Sequence, residues 1–280
     1  MPLTIATRCR VVIDNDFAGD PDGLVALAHH LLSPGHRVDA VTSSRLSPVF
    51  GPPEGGAATG AAYAAELVEL IGGATRPEIA AGGDAAVDLA AVAAGSEVSA
   101  AARTIIAHAR RDDALPLTLV CGGPLTNVAE ALAAAPDIAG RLTLAWVGGS
   151  LADADEYNRD TDAEAAAFVL GIPELEVRQF PLESYRRFAW SVAQIEELLG
   201  SCGALGAWLW RRFDELPLPP GFAVDAVWPL GDSAPLLGTA LGAESSTWEA
   251  GEHTLVCTAP DTGLVLGDMA ALFRRHAAHR

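Results

Sequence analysis

Four carboxylates crowd into one short stretch near the start of the chain: Asp14, Asp16, Asp20 and Asp22, in DNDFAGDPD. Side chains this close repel one another unless a positive charge sits among them. A hard cation with oxygen ligands is the simplest way to supply it. Aspartates also cap helices and close turns, and capping alone accounts for Asp20 and Asp22. The elements that must position these residues are legible on either side. The apolar run Val11, Val12, Ile13 comes before them, and Leu24, Val25, Ala28, Leu31 and Leu32 follow at helical spacing. The pattern predicts a buried strand, a short turn and an amphipathic helix. Residues two apart in a strand point to one side, so Asp14 and Asp16 share a face at its carboxyl end. Asp20 is expected as the N-cap and Pro21 as the first helical residue. Asp22 then falls in the first turn, where the helix dipole favours negative charge.

Composition bounds the chemistry. At 280 residues, half of them hydrophobic, the chain can bury a large core, and it is not a disordered protein. The net charge of −18 leaves no excess of basic residues to neutralise phosphates, which excludes nucleic acid and anionic membranes as partners. All the basic residues other than histidine are arginines. Without lysine, Schiff-base chemistry and the P-loop are both excluded. Cys9, Cys121, Cys202 and Cys257 are scattered, with no CxxC pair, and read as buried thiols in a reducing compartment. No HExxH motif or Cys/His cluster suggests zinc, and adjacent His29 and His30 face different ways on a helix. The start of the chain lacks the apolar segment of a signal peptide, and no apolar run is long enough to span a membrane. The expected location is the cytoplasm.

Strands alternate with helices through most of the chain. Residues 38–42 read as a second strand, and residues 45–60, rich in Pro and Gly, as a long loop before a helix at 61–71. Residues 77–81 read as a short strand, 84–102 as loops and short helices, and 104–111 as helix. The stretch from Leu115 to Ser150 predicts strand 117–120, a turn at Gly122 to Pro124, helix 125–135 and strand 142–147. The next loop carries Glu156 and Asn158; helix 163–170, strand 175–180 and helices 191–199 and 205–213 follow. Residues 217–220 form a Pro-rich loop, and Asp232 stands just before another apolar helical run. Residues 254–257 and 263–266 are expected to pair as a hairpin before a terminal helix at 269–278. The fold class is therefore α/β, one domain over residues 1–280 with an open, mainly parallel sheet flanked by helices, Rossmann-like. Ligands of such sheets bind beyond the carboxyl ends of the strands. That rule gathers Asp16, Gly122 and the loop from Glu156 to Asn158 around one crevice.

The motifs DNDFAGDPDG, CGGPLTNVA, WVGGS followed by DEYN, and GDSAPLL stand in an order that resembles the nucleoside hydrolases, the inosine/uridine-preferring N-ribohydrolases. The likeness runs from about Val11 to the end of the chain. It implies calcium-dependent hydrolysis of the N-glycosidic bond of a ribonucleoside, giving ribose and a free base. By that resemblance Asp16, Asp22, Asp232 and the carbonyl of Gly122 would hold Ca2+, and Asp16 would also be the general base. Asp20, Glu156, Asn158 and Asp232 would bind the sugar, with Asp14 and Asn127 supporting the site from behind. The resemblance also implies a homodimer or homotetramer. The physics of the residues agrees. Carboxylates and a carbonyl suit calcium, and carboxylates around a ribose stabilise an oxocarbenium-like transition state.

The sequence departs from the family pattern in four places. Pro21 separates Asp20 from Asp22, where many members have adjacent aspartates. Gly231 stands where a histidine commonly precedes the late aspartate. The loop from Gly149 to Glu156 is short and lacks an asparagine that many members use. SSRLS closes the second strand instead of a Gly-Asn pair. Tyr185, Trp190 and Trp228 are candidates for stacking on a base, with core packing as the competing explanation. Two other functions fit parts of the sequence. One is a degenerate hydrolase fold that binds calcium and a ribosyl ligand without turnover. The other is a DxD phosphatase with Asp14 as nucleophile, a reading weakened by Phe17-Ala18 after the pair and by the absent lysine.

Overall fold

A computed structural model describes residues 3–50, 54–73, 76–216 and 223–279. The Pro-rich loop expected at 217–220 lies outside the described residues. An eight-stranded sheet forms the centre. Its strands are β1 (Arg10–Asn15), β2 (Arg37–Ser43), β3 (Glu78–Ala81), β4 (Leu117–Cys121), β5 (Leu142–Val147), β6 (Glu176–Phe180), β9 (Thr247–Ala250) and β10 (Thr254–Ala259), in the order β3-β2-β1-β4-β5-β6-β10-β9. All neighbours are parallel except β9, which pairs antiparallel with β10 at the edge. A separate two-stranded ribbon joins β7 (Ala189–Ser191) to β8 (Val227–Pro229) and sets Trp190 opposite Trp228.

Strands buried on both faces read as continuous apolar runs, and β1 shows why. Val11 and Ile13 pack on one face with Leu24 and Leu27 of helix α1 (Asp22–Leu32). Val12 packs on the other face with Leu119, Val128 and Leu132, the last two from helix α5 (Thr126–Ala134). Helices α2 (Gly56–Ile71), α9 (Val192–Gly200), α10 (Gly203–Asp214) and α11 (Thr262–Ala278) share the first layer. Helices α4 (Ala100–Arg110) and α7 (Ala163–Leu170) share the second. Three short α-helices, α3 (Leu89–Ala93), α6 (Tyr157–Thr161) and α8 (Leu182–Tyr185), lie in the connections between these larger elements.

The chain steps outward from β1 to β2 and β3, then returns to lay β4, β5 and β6 on the other side of β1. The strand order therefore reverses between β1 and β4, and at such a switch point the loops leaving adjacent strands part to open a crevice.

Three expectations need correction. Residues 263–266 are not a strand: they lie in α11, and the antiparallel partner of β10 is β9. Asp261 caps α11 by accepting the Leu264 N–H, and Val265, Leu266, Met269, Ala270 and Phe273 then fall at helical spacing. Helix α1 begins at Asp22, one residue later than expected, with Pro21 as its cap residue; Asp20 accepts the Asp22 N–H instead of capping deeper into the turn. The apolar run after Asp232 is only a single π-helical turn, Leu237–Leu241.

Candidate functional site

β1 ends at Asn15, so Asp16 sits just past the strand, where its side chain enters the crevice beside β4. Its N–H donates to the Asn15 side chain at 2.8 Å, and its carbonyl accepts from Gly19 at 2.8 Å, closing the turn. That turn delivers Asp20 and Asp22 to the same cavity although Pro21 separates them. Asp232 arrives from the opposite side, on a short turn at Gly231–Ser233, and its N–H donates to Asp22 Oδ2 at 3.0 Å. Gly122 and Asn158 also line the cavity. Gly122 has no room for a side chain: a Cβ there would lie 2.4 Å from Asn15 Nδ2 and 2.9 Å from Asp232 Cγ. Tyr157, Tyr185, Val147 and Pro229 form its remaining walls, and among the described residues no Arg or His lines it.

Each carboxylate is tied by neutral donors only. Asp16 Oδ2 accepts from the Tyr157 hydroxyl at 2.7 Å, and Asp232 Oδ2 from Asn15 Nδ2 at 2.9 Å. Asp20 Oδ1 accepts from Trp228 Nε1 and the Asp22 N–H, both at 3.0 Å. Asp22 Oδ1 is buried with no hydrogen-bond partner. Burial pushes all four upward from the usual carboxylate range. Asp20 rises to about 6 and Asp232 to about 7. Asp16 and Asp22 also rise, and the neighbouring Asp232 and Asp20 charges add to burial in both cases. Strongly perturbed groups converging in a cleft mark a functional site on physical grounds.

The remaining predicted residues stand around this cavity in different ways. Asp14 is fully buried below it, accepting from Thr42 Oγ1 at 2.6 Å and Asn127 Nδ2 at 2.8 Å; burial raises it to about 6. Asn127 also donates to the Ser43 carbonyl, so the pair fastens the ends of β1 and β2 to α5. Asp14 does not line the cavity, which removes the basis for a nucleophile there. Glu156 stands behind the wall, 2 % exposed, capping α6 through the Asn158 and Arg159 N–H groups and accepting from Gly149 and the Tyr185 hydroxyl. Asn158 Nδ2 donates to the carbonyls of Gly122 and Val147, both at 2.8 Å. Beside them, at the start of α5, the Thr126 hydroxyl donates to Asp162 Oδ2 at 2.7 Å.

Sequence reasoning passed over Asn15, Tyr157 and the bond between Trp228 and Asp20. Strand alternation turns Asn15 away from Asp14, and the arrival of Asp232 from far along the chain gives its Nδ2 an acceptor. Tyr157 stood in view between Glu156 and Asn158, but nothing in the sequence said that its hydroxyl would meet Asp16. Tyr185 and Trp228 pack partly against the core while also facing the carboxylates; Trp190 packs against the core and does not line the cavity.

A family profile described as inosine-uridine preferring nucleoside hydrolase matches residues 11–216. The chain belongs to this family. Such enzymes hydrolyse N-ribosyl bonds, and this nucleoside hydrolase carries the family's first carboxylate cluster and its GGPLTN turn inside the matched region. Asp232 lies beyond that region and is placed in the site by geometry. Solved structures share the fold. A purine-preferring ribonucleoside hydrolase from Gardnerella vaginalis aligns with a TM-score of 0.67 at 17% identity, covering 97% of this chain and 100% of its own. An inosine-uridine preferring nucleoside hydrolase from Bacillus anthracis aligns at 0.68 and 18% identity, covering 95% and 99%. An inosine-guanosine nucleoside hydrolase aligns at 0.69 and 16% identity, covering 94% and 98%. A search of curated proteins returned no match. Among the described residues no helix is long and apolar enough to cross a membrane.

Proposed function

We propose that this enzyme cleaves the N-glycosidic bond of a ribonucleoside with water, using a calcium ion held by Asp16, Asp22, Asp232 and the Gly122 carbonyl. The observation that carries the reading is the convergence of four carboxylates, Asp16 and Asp22 buried and Asp20 and Asp232 half-buried, with no basic side chain among the described residues of the cavity, at the point where the strand order reverses. The donor set is entirely hard oxygen, which suits calcium, and the orphaned Asp22 Oδ1 is a ligand atom without a partner. Among the described residues no three acidic, His or Cys side chains already stand at ligating distance. Donors from Tyr157, Asn15 and Asn158 occupy oxygen lone pairs that ligation would use.

When bound, the ion would make a coordinated water more acidic. Asp16 is the group placed to take the water's proton, through Oδ1, because Oδ2 is held by Tyr157. Asp20 and Asn158 would fix the ribose hydroxyls, with Asp232 sharing that task. Glu156 acts from behind by holding α6, and so Asn158, in place. As the bond to the base lengthens, positive charge grows on the ribose, and the surrounding carboxylates stabilise it without having to reorganise. The place of the family's frequent histidine is Gly231, packed against Tyr185, so the departing base receives no imidazole from that position.

A second reading is a binder of calcium and a ribosyl ligand without turnover. It is favoured by the same hydrogen bonds, which leave the carboxylates partly satisfied, and by the missing histidine. Released ribose, measured over a panel of purine and pyrimidine ribonucleosides with calcium and with chelator, separates the two. Calcium-dependent release supports the enzyme. Calcium binding by calorimetry with no release supports the binder, and neither result leaves the carboxylates structural. The four free, buried thiols support the expectation of a reducing, cytoplasmic compartment. A homodimer or homotetramer is the expected assembly, which sedimentation would test.

A further inference from the structure

Of three consecutive residues at one short helix start, Tyr157 and Asn158 line the cavity and Glu156 stands behind its wall. Glu156 is locked by four hydrogen bonds and Asn158 by two main-chain carbonyls. The residue between them is therefore carried on a fixed backbone. Its hydroxyl donates to Asp16 Oδ2 at 2.7 Å, and the Ser47 main-chain N–H is directed at the same phenolic oxygen. Ser47 belongs to the stretch after β2, which Arg45 also fastens to α6 by donating to the Thr161 carbonyl at 2.9 Å. The phenol thus has its acceptor side engaged by one loop and its proton aimed at one carboxylate oxygen.

We propose that Tyr157 is the positioning residue of the general base: it pins Asp16 Oδ2, fixes the plane of the carboxylate, and leaves Oδ1 as the oxygen offered to water and cation. This rests on the reading of Asp16 under Proposed function. A carboxylate on a turn past the end of a strand rotates freely unless something holds it, and a base that swings away from its water loses rate steeply with small displacements. Among the described side chains Tyr157 is the hydrogen-bond donor to the Asp16 carboxylate, and the one other contact is with the residue's own main chain. The ring of Tyr157 closes one wall of the cavity, so a phenylalanine there would keep the wall and lose only the tether. Burial and the Asp16 charge both push the phenol upward, which keeps it protonated as the donor.

The tether has two consequences with opposite signs, and this makes it testable. It orients the base, so its loss should slow turnover. It also consumes electron density on a cation ligand, so its loss should strengthen cation binding. The experiment compares Tyr157→Phe with wild type by steady-state ribose release and by calorimetric titration with calcium alone. The expected result is a kcat lower by about 10- to 100-fold, with KM changed by no more than about twofold. The calcium affinity should rise by about threefold or more, since ligand charge sets it. A lower melting temperature with unchanged kcat and unchanged calcium affinity would show that Tyr157 only packs, and would overturn the proposal. Should wild type bind calcium but release no ribose, the hydrolase reading fails, and the titration alone decides on the tether: equal affinities reject it. If wild type binds no calcium and releases no ribose, the proposal falls with the reading on which it rests.

Discussion

Helix α1 buries ionisable side chains at both ends, and the two ends solve the same problem differently. Asp22 opens the helix beside Asp16, Asp20 and Asp232; His29 and His30 close it, with His36 packed against them. The helix dipole favours acid at the first end and base at the second, yet burial outweighs it at both. It raises the aspartates and lowers the histidines, His36 to about 4. The histidine end draws a partner for one nitrogen of each ring from the fold, while His29 Nδ1, His30 Nε2 and His36 Nδ1 are buried with no hydrogen-bond partner among the described residues. His36 Nε2 lies 3.0 Å from the His30 carbonyl and 3.3 Å from His30 Nδ1, and His29 Nε2 meets Asp268 at 3.1 Å. Held neutral, these rings need no further partner charge. The aspartate end has only neutral donors for several carboxylates and leaves Asp22 Oδ1 with none. The difference lies in charge: one end is held as neutral rings, and the other gathers acidic groups that a cation would balance. Violations of local rules concentrate where function is.

The largest effect should come from the base. Asp16→Asn should lower turnover by about 10³-fold or more while the protein stays folded, as judged by circular dichroism and ribose release. Turnover near wild type would dissolve the contrast between the ends, since Asp16 would then be one more buried carboxylate.

Asp22→Asn sharpens the contrast by separating function from stability. The amide still offers an oxygen to the Asp232 N–H but removes a buried charge that Asp232 and Asp20 repel. Calcium affinity should fall by about tenfold or more. In chelator the variant should be more stable by about 1–2 kcal/mol, a rise of about 2–6 °C in Tm. A variant that is less stable in chelator would mean that Asp22 belongs to a network that folding alone completes.

The two ends also respond to pH with opposite sign. His36 binds its proton at about 4 when folded, against 6.5 for a histidine in an open chain. Between those values the unfolded chain takes up the proton first, so the stability present above 6.5 is lost as pH falls. Asp232, raised from 3.8 to about 7, does the reverse: the folded chain takes up the proton first, and stability is lost as pH rises through that range. Comparison of wild type with His36→Gln isolates the first component, since glutamine can still donate to the His30 carbonyl. Urea unfolding in chelator at about pH 7.5 and about pH 5 should show wild type losing about 2 kcal/mol relative to the variant over that interval. Parallel changes in the two proteins would rule out a neutral buried His36.

What the sequence disclosed about these two ends follows from range. The strand, turn and helix that deliver Asp16, Asp20 and Asp22 are local, and apolar runs bounded by Gly and Pro announce them, as they do β4, β5 and α7. The partners that complete the site are distant: Asn15 meets Asp232 across 217 positions and Tyr157 meets Asp16 across 141. No periodicity encodes such meetings; the sheet order does, by bringing β1 and β4 together. The mistaken hairpin is a case of short-range ambiguity. Gly263 to Leu266 is too brief an apolar piece to reveal its period, and the decisive signal was the cap at Asp261. The mostly exposed edge strand β9 carries too little apolar pattern to be seen. His29 and His30 were rightly separated, but the approach of His36 depends on how the chain enters β2.

Each end also has a glycine under close packing, and these give the smallest and most discriminating test. A Cβ on Gly35 would lie 2.7 Å from the Ala240 carbonyl oxygen and 2.8 Å from its Cα, so main chain must move. A Cβ on Gly231 would lie 2.9 Å from both Cδ2 and the carbonyl oxygen of Tyr185. The family's histidine is thus excluded at residue 231 by the ring that occupies its space. Either substitution to alanine should cost about 1–3 kcal/mol of stability. They should differ in function. Gly35→Ala strains the histidine end and should leave calcium affinity and kcat within about twofold of wild type. Gly231→Ala displaces the turn whose next N–H, that of Asp232, holds Asp22, so calcium affinity should fall by about three- to tenfold with the stability. Calorimetry on both variants decides. If Gly35→Ala impairs calcium binding as strongly as Gly231→Ala, strain passes along α1 from one end to the other, and the two ends form one cooperative unit.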